Sequence, residues 1–306
     1  MANTHLDCLF VLKALLAPNL EIVNLNSLDS DELKKLGVAW EKIIHDAQKT
    51  PEGRARIALA ITIGQWPAWG GRGRAPVPKP NPNDVKALQE SIYHSLAMLI
   101  PNERTIGPTM LELAGRGQLR WNTGIDYEKS FQNGNAYYVK AVESLYQDAP
   151  INLEKDLQKI NAFPRITADA SAIKYWSSPG RTHLGKPKVP LLRIHTIGDG
   201  LVYSSMAQGY EDLVEKNGYS KLFRSAYVDS WGHCTFSVAE WLAAIKTVEQ
   251  RIETGTWPST KPDAFNRRCL SIDPKDKARF FEFDGVQKYN RTWVPSVIDY
   301  LGETAE

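Results

Sequence analysis

The sequence predicts a mixed α/β fold, with parallel strands near the C-terminal third and a long helical section before them. Three observations carry this. Residues 189–255 alternate strand, helix, strand and helix. Residues from 28 to about 165 carry helical periodicity almost throughout. Loop-forming residues follow each apolar strand. Successive strands joined through a helix pair in parallel, which requires a right-handed crossover.

The elements follow in order. HLDCLFVLKALLA, residues 5–17, is apolar nearly all round and ends at Pro18, so it reads as a buried helix stopped by proline. EIVNL, 21–25, reads as a short strand or extended connector. Helical patterns follow in SDELKKLGVAWEKIIHDAQKT, PEGRARIALAITIGQW, NDVKALQESIYHSLAMLI and GNAYYVKAVESLYQ. Thr50 before Pro51 marks a helix start, Thr as N-cap and Pro at the first helical position. Asn83-Asp84 plays the capping part before Val85. The stretch 67–82 holds many of the prolines and glycines and reads as loop.

A further helical pair spans 151–176, broken by Pro164. VPLLRIHTIGD is β-branched and apolar and ends in Gly-Asp-Gly, the pattern of a buried parallel strand. Ser205 to Asn217 is a helix stopped at Gly218. LFRSAYVDSWGHC contains the second strand, and VAEWLAAIKTVEQRIETG is the final helix of the unit. Beyond it, ARFFEFDGVQKYNRTWV alternates around Asp284-Gly285, which predicts a β-hairpin with a type I′ turn.

Composition bounds the function class. The chain is 306 residues long, 42% hydrophobic and 24% charged, which is ordinary for a globular protein. Its net charge of +2 makes no electrostatic case for nucleic acid or an anionic membrane as partner. The basic cluster Arg72, Arg74 and Lys79 reads as a solvated loop. Three cysteines (Cys8, Cys234, Cys269) without CxxC spacing indicate neither a zinc site nor a disulfide framework, and leave the redox compartment open. No apolar run is long enough to span a bilayer. Asp7 and Lys13 interrupt the one early apolar stretch, so no signal peptide is visible and the localisation stays unassigned.

Chemistry-bearing residues converge on two strand ends. Asp199 follows the first apolar strand and His233 follows the second, 34 residues later (233 − 199). One strand–helix–strand passage of that length brings two loops to one rim of a sheet, where open α/β sheets bind their ligands. An aspartate there can accept Nδ1–H of a histidine, fix its tautomer and stabilise the imidazolium. Gly232 gives the backbone freedom to aim the ring. His195, inside the strand, reads as a core or rim histidine, and His5, His45, His94 and His183 have no partners in sequence. No HExxH or HxH spacing exists, so no metal site is expected. Ser204 and Ser205 open a helix without flanking glycines and read as N-cap residues. Cys234, next in sequence to His233, is expected to point elsewhere, and Cys8 reads as a core residue. No G-x-G-x-x-G follows a strand, so no dinucleotide cofactor is expected, and none of any other kind is indicated. Trp66, Trp121 and Tyr127 stand in the aromatic-rich helical section, and the WNTGIDY segment at 121–127 reads as an element facing an apolar pocket.

TPEGRARIALA at 50–60, WNTGIDY, VPLLRIHTIGDGLV at 189–202 and VDSWGHCTFSVAEWLAAI at 228–245 together resemble a serine α/β-hydrolase of the esterase or acyl-hydrolase type with a large helical cap. The resemblance implies Asp199 as the acid and His233 as the general base of a Ser-His-Asp triad acting on carboxylic esters, with Trp121, Tyr127 and Trp66 towards a substrate pocket. It implies a core from 1–25 and 166–258, a helical cap from 26–165 and a C-terminal extension from 259–306. The nucleophile elbow G-x-S-x-G of that family is found nowhere in these residues. The chain therefore reads as the C-terminal part of such a parallel sheet, incomplete and lacking the N-terminal part with the elbow. An incomplete sheet leaves an open edge, which predicts a homo-oligomer or a complementing N-terminal chain as cover, beside a small apolar ester or acyl ligand. The competing expectation is a catalytically silent, hydrolase-derived ligand-binding or scaffold protein.

Overall fold

A computed structural model describes residues 2–22, 30–70, 77–103, 107–178 and 180–291. The chain divides into two compact units, Met1–Thr182 with Asn290–Glu306, and His183–Tyr289. Among the described residues there are twelve α-helices and three strands, a mixed α/β composition.

The first unit is helical: α1 (Ala2–Leu16), α2 (Ser30–Ala47), α3 (Pro51–Ile63), α4 (Val85–Glu103), α5 (Gly107–Gly115), α6 (Tyr127–Gln132), α7 (Ala136–Gln147), α8 (Leu153–Ala162) and α9 (Ala170–Ser177). Its centre is α3, which packs on α1, α2, α4 and α7. Every residue from Ile57 to Ile63 on α3 is buried, as a helix apolar on all sides requires. The Thr50 side chain accepts from Gly53 N at 3.0 Å and Pro51 occupies the first turn, as the sequence indicates. Gly53 is needed for close approach, because a Cβ there would lie 1.9 Å from the Ala47 carbonyl oxygen. Asp84 caps α4 through Ala87 N at 3.0 Å. The N-terminal helix α1 is buried against α3 and α8 within this unit. The segments 23–29 and 71–76 lie outside the described residues, and with them Arg72, Arg74 and most of the extended segment expected at 21–25.

The second unit contains β1 (Leu191–Gly198), α10 (Ser204–Lys216), β2 (Phe223–Trp231), α11 (Val238–Thr254), α12 (Pro262–Ile272) and β3 (Phe280–Phe281). β1 pairs in parallel with β2, from Leu191 opposite Phe223 to Thr196 opposite Val228. β3 pairs antiparallel with β2, Tyr227 opposite Phe281, so the sheet is mixed, in the order β1-β2-β3. This corrects two expectations: the strands are not all parallel, and Phe280–Phe281 joins the sheet instead of folding back as a hairpin. Among the described residues, Asp284-Gly285 forms a turn without a returning strand. The pairing with β2 is the stronger option because it seats Phe280 against Phe265, ring centroids 4.4 Å apart, in the core with Val228, Ala243 and Cys269.

Alternation along the strands gives the sheet two unlike faces. Leu192, Ile194, Ala226 and Val228 pack into the core cluster with α11 and α12 residues. The opposite positions carry Arg193, Ser225 and Tyr227. Arg193 Nη2 donates to Glu211 Oε2 of α10 at 2.9 Å and to Tyr227 Oη at 3.0 Å, and Ser225 Oγ donates to the same carboxylate. Gly218, at φ +78°, stops α10 as its sequence position indicates. Neither Ser204 nor Ser205 caps α10, whose N-cap is Tyr203. On the far side of α11, Val238, Trp241, Leu242, Ile245 and Ile252 are exposed, and β1 pairs on one side alone among the described residues.

Candidate active site

The second unit brings Asp199 and His233 together. β1 ends at Gly198 and β2 at Trp231, and the loops beyond them are tied to each other. Gly232 N donates to Gly198 O at 2.9 Å, and Thr196 Oγ1 donates to Gly232 O at 2.7 Å. Gly232 sits at φ +89°, a left-handed conformation that favours glycine. The turn it makes carries the His233 ring towards the end of β1.

Asp199 is almost fully saturated. Its Oδ1 accepts from Leu201 N at 2.8 Å and Val202 N at 3.0 Å, which folds the Gly-Asp-Gly loop as an Asx turn. Its Oδ2 lies 2.9 Å from His233 Nδ1. An ionised carboxylate can only accept, so Nδ1 carries the proton and Nε2 presents its lone pair. The Asp199 side chain is 5% exposed and that of His233 is 48% exposed. A buried carboxylate thus orients a half-exposed imidazole.

The loop that carries His233 is braced from three directions. Ser237 Oγ accepts from Glu240 N at 3.1 Å while Glu240 Oε2 accepts from Ser237 N at 2.8 Å, a capping box at the start of α11. The fully buried Glu240 carboxylate also receives Arg279, with Nε on Oε1 at 3.0 Å and Nη2 on Oε2 at 2.8 Å. The same guanidinium reaches back to Ser230 Oγ at 2.7 Å and Thr235 O at 2.9 Å. The Ser-x-x-Glu spacing announces the capping box in sequence. Nothing in the sequence links Arg279 to it.

Cys234 departs from expectation. It is exposed, adopts φ +55°, and its Sγ lies 3.6 Å from His233 Nε2. Left-handed conformations at Gly232 and Cys234, on either side of His233, fold the thiol back over the ring. In extended backbone, neighbouring side chains would diverge. Burial, then the Asp199 carboxylate, push the thiol above its ordinary value. His195 is buried on β1, edge-on to Tyr227, as expected of a core or rim histidine. Burial lowers its pKa to about 4, with Arg193 and His233 adding and Asp199 opposing.

The aromatic residues assigned to a pocket belong to the helical unit. Trp66, Trp121 and Tyr127 are each 2% exposed or less, inside the helical unit. Trp66 Nε1 donates to Ser95 Oγ at 3.0 Å. Tyr127 Oη donates to Asp7 Oδ1 at 2.8 Å and accepts from Asn122 Nδ2 at 2.9 Å. The Arg291 guanidinium stacks 4.6 Å from the Trp121 ring centroid, bonds the Trp121 carbonyl, and lies 3.5 Å from Asp7. Asp126 caps α6 through Glu128 N and Lys129 N. The WNTGIDY segment therefore forms an exposed turn and a helix cap, anchored by the buried Trp121, Asn122 and Tyr127. Among the described residues no group of three metal-ligating side chains occurs, and no helix is long and apolar enough to cross a membrane.

The chain is similar to an o-phthalyl amidase of Xanthobacter agilis, 42% identical over 263 residues. The match covers 85% of this chain and 57% of the relative, so the chain spans just over half the length of that protein. No family model matches. No solved structure matches either.

Proposed function

We propose that this chain belongs to a hydrolase acting on carboxylic amide or ester bonds, with His233 as general base and Asp199 as the acid that orients it. The observation that carries this is the 2.9 Å contact of Asp199 Oδ2 with His233 Nδ1, which turns Nε2 away from the carboxylate, beside the exposed Cys234 thiol. The likeness to an amidase supports the reaction class and brings the amide beside the ester. The relative's name suggests an o-phthalyl acyl group as the first substrate to try.

In this reading a serine hydroxyl outside these residues attacks the acyl carbon. His233 Nε2 takes its proton and returns it to the departing alcohol or amine. Asp199 stays ionised and stabilises the imidazolium. Two backbone N–H groups hold its other oxygen, so the carboxylate cannot rotate away without breaking them. The chain takes a small apolar ester, amide or acyl ligand, and we place a second copy or a complementing polypeptide along the open edge of β1.

The test compares hydrolysis of an o-phthalyl amide and of p-nitrophenyl acetate by the wild-type protein and by His233→Ala, each joined by the complementing polypeptide that supplies the serine. A positioned general base contributes about 10²- to 10⁴-fold, and a loss of that size is expected. Equal turnover by the two proteins would end the proposal. Ligand-induced stabilisation without any turnover would favour a silent binding protein.

A further inference from the structure

The lone pair that Asp199 leaves on His233 Nε2 faces a nucleophile within this chain. Carboxylate, imidazole and thiol follow one another, 2.9 Å from Asp199 Oδ2 to Nδ1 and 3.6 Å from Nε2 to Cys234 Sγ. The nucleophile and base are within reach of each other and a third group orients the base, which is the arrangement that defines an activated nucleophile. The other two cysteines, Cys8 and Cys269, are buried. We propose that Cys234 is a nucleophilic thiol served by His233, able to accept an acyl group from an activated carboxylic ester or amide and pass it to water. This rests on the reading of His233 as a base, and it differs in placing the nucleophile inside these residues.

The chemistry balances without an oxidant. Sγ attacks the acyl carbon while the S–H proton moves to Nε2. The carbon–oxygen or carbon–nitrogen bond breaks, and the imidazolium returns the proton to the leaving alkoxide or amine. The product is a thioester on Cys234. Water then attacks that carbonyl with Nε2 as base. The carbon–sulfur bond breaks, the carboxylic acid leaves, and the proton returns to Sγ. Because burial and Asp199 favour the neutral thiol, little free thiolate stands ready. Attack at neutral pH therefore depends on the imidazole taking the proton.

Two measurements on the full chain test this. In the first, the protein is mixed with p-nitrophenyl acetate, quenched in acid and mapped by peptide mass spectrometry. One acetyl group on Cys234 is expected, removable by hydroxylamine, absent from Cys234→Ala and strongly reduced in His233→Asn. An acetyl group on another residue, or nitrophenol release unchanged in Cys234→Ala, overturns the proposal. If His233→Asn loses release while Cys234→Ala keeps it, the base survives and the thiol role falls. If both variants keep it, the base falls too.

The second measurement needs no turnover. Iodoacetamide alkylation at neutral pH is expected to label Cys234 at least about 10²-fold faster in the wild-type protein than in His233→Asn, at the low end of general-base effects. Equal rates, with circular dichroism showing both proteins folded, overturn the proposal. If His233→Asn does not fold, Asp199→Asn replaces it in the same comparison, with the same expectation and the same refuting result.

Discussion

Replacing Arg279 by leucine removes a guanidinium that holds four sites at once, both Glu240 oxygens, Ser230 Oγ and Thr235 O, while the backbone N–H of the same residue donates to Glu240 Oε1 at 3.2 Å. The backbone contact survives the substitution and the side-chain contacts do not. Glu240 is left with a side-chain exposure of 0%, its charge buried and answered by two backbone N–H groups, of Ser237 and of residue 279. Breaking one partner of a buried ion pair costs about 3–5 kcal/mol. The Arg279 side chain is 26% exposed, which points to the lower end, about 3 kcal/mol. The freed segment 230–237 carries His233. A displacement of about 1 Å in a reacting group can cost about 10²-fold in rate.

Urea unfolding monitored by fluorescence, beside p-nitrophenyl acetate hydrolysis, reads both effects. The double variant Arg279→Leu with Glu240→Gln separates the causes. Neutralising the stranded carboxylate should recover at least about 1 kcal/mol, because the penalty lies in the unpaired charge. A loss below about 1 kcal/mol in the single variant, with hydrolysis unchanged, would refute the view that this clamp holds the loop.

Other consequences are open to measurement. Burial, opposed by Arg291 and Tyr127, raises Asp7 from 3.8 to about 6. The folded form then keeps a proton that the unfolded chain has lost, so this group's contribution to stability falls by about 3 kcal/mol as pH rises from about 4 to 6. Asp7→Asn should flatten that slope, and an unchanged slope in urea melts would contradict it. His195 has the opposite sign. Lowered from 6.5 to about 4, it refuses a proton the unfolded chain accepts. Its stabilisation of about 3 kcal/mol is complete above about pH 6.5 and is lost as pH falls to about 4. His195→Gln should remove this acid sensitivity. The two groups lie in different units, so each slope should follow its own unit wherever the units unfold separately. Gly53→Ala would place a methyl group 1.9 Å from the Ala47 carbonyl, and should cost about 1–3 kcal/mol by forcing α2 and α3 apart. A thermal melt superimposable on the wild type would show that the helices can separate freely.

Local chemistry made part of this structure readable in the sequence. Thr50-Pro51 and Asp84 announce helix starts with short-range hydrogen bonds, and the structure contains both. The strand–helix–strand passage ending in Asp199 and His233 sets two loops side by side by its length alone. Other features depend on partners far away in sequence. Phe280–Phe281 alternates like a hairpin arm, but its better partner is β2, some fifty residues earlier. Trp121 and Tyr127 resemble pocket residues until Asp7 and Arg291, 284 positions apart, close a polar network around them. Helices α5 and α6, of 9 and 6 residues, are too short for a clear periodic signal, whereas α12 opens on Pro262 in its first turn. Cys234 was unreadable for a conformational reason. Its side chain meets the imidazole only because Gly232 and Cys234 both take positive φ, which no residue type at position 234 announces.

The account turns on which His233 nitrogen holds the proton. Long-range ¹H–¹⁵N correlation spectra of the wild-type protein above the pKa of the ring report this directly. With Asp199 as acceptor, the neutral ring should carry its proton on Nδ1, and Asp199→Asn should shift the population towards Nε2. A wild-type ring protonated at Nε2, or a spectrum indifferent to Asp199→Asn, would contradict the claim that this carboxylate sets up the base.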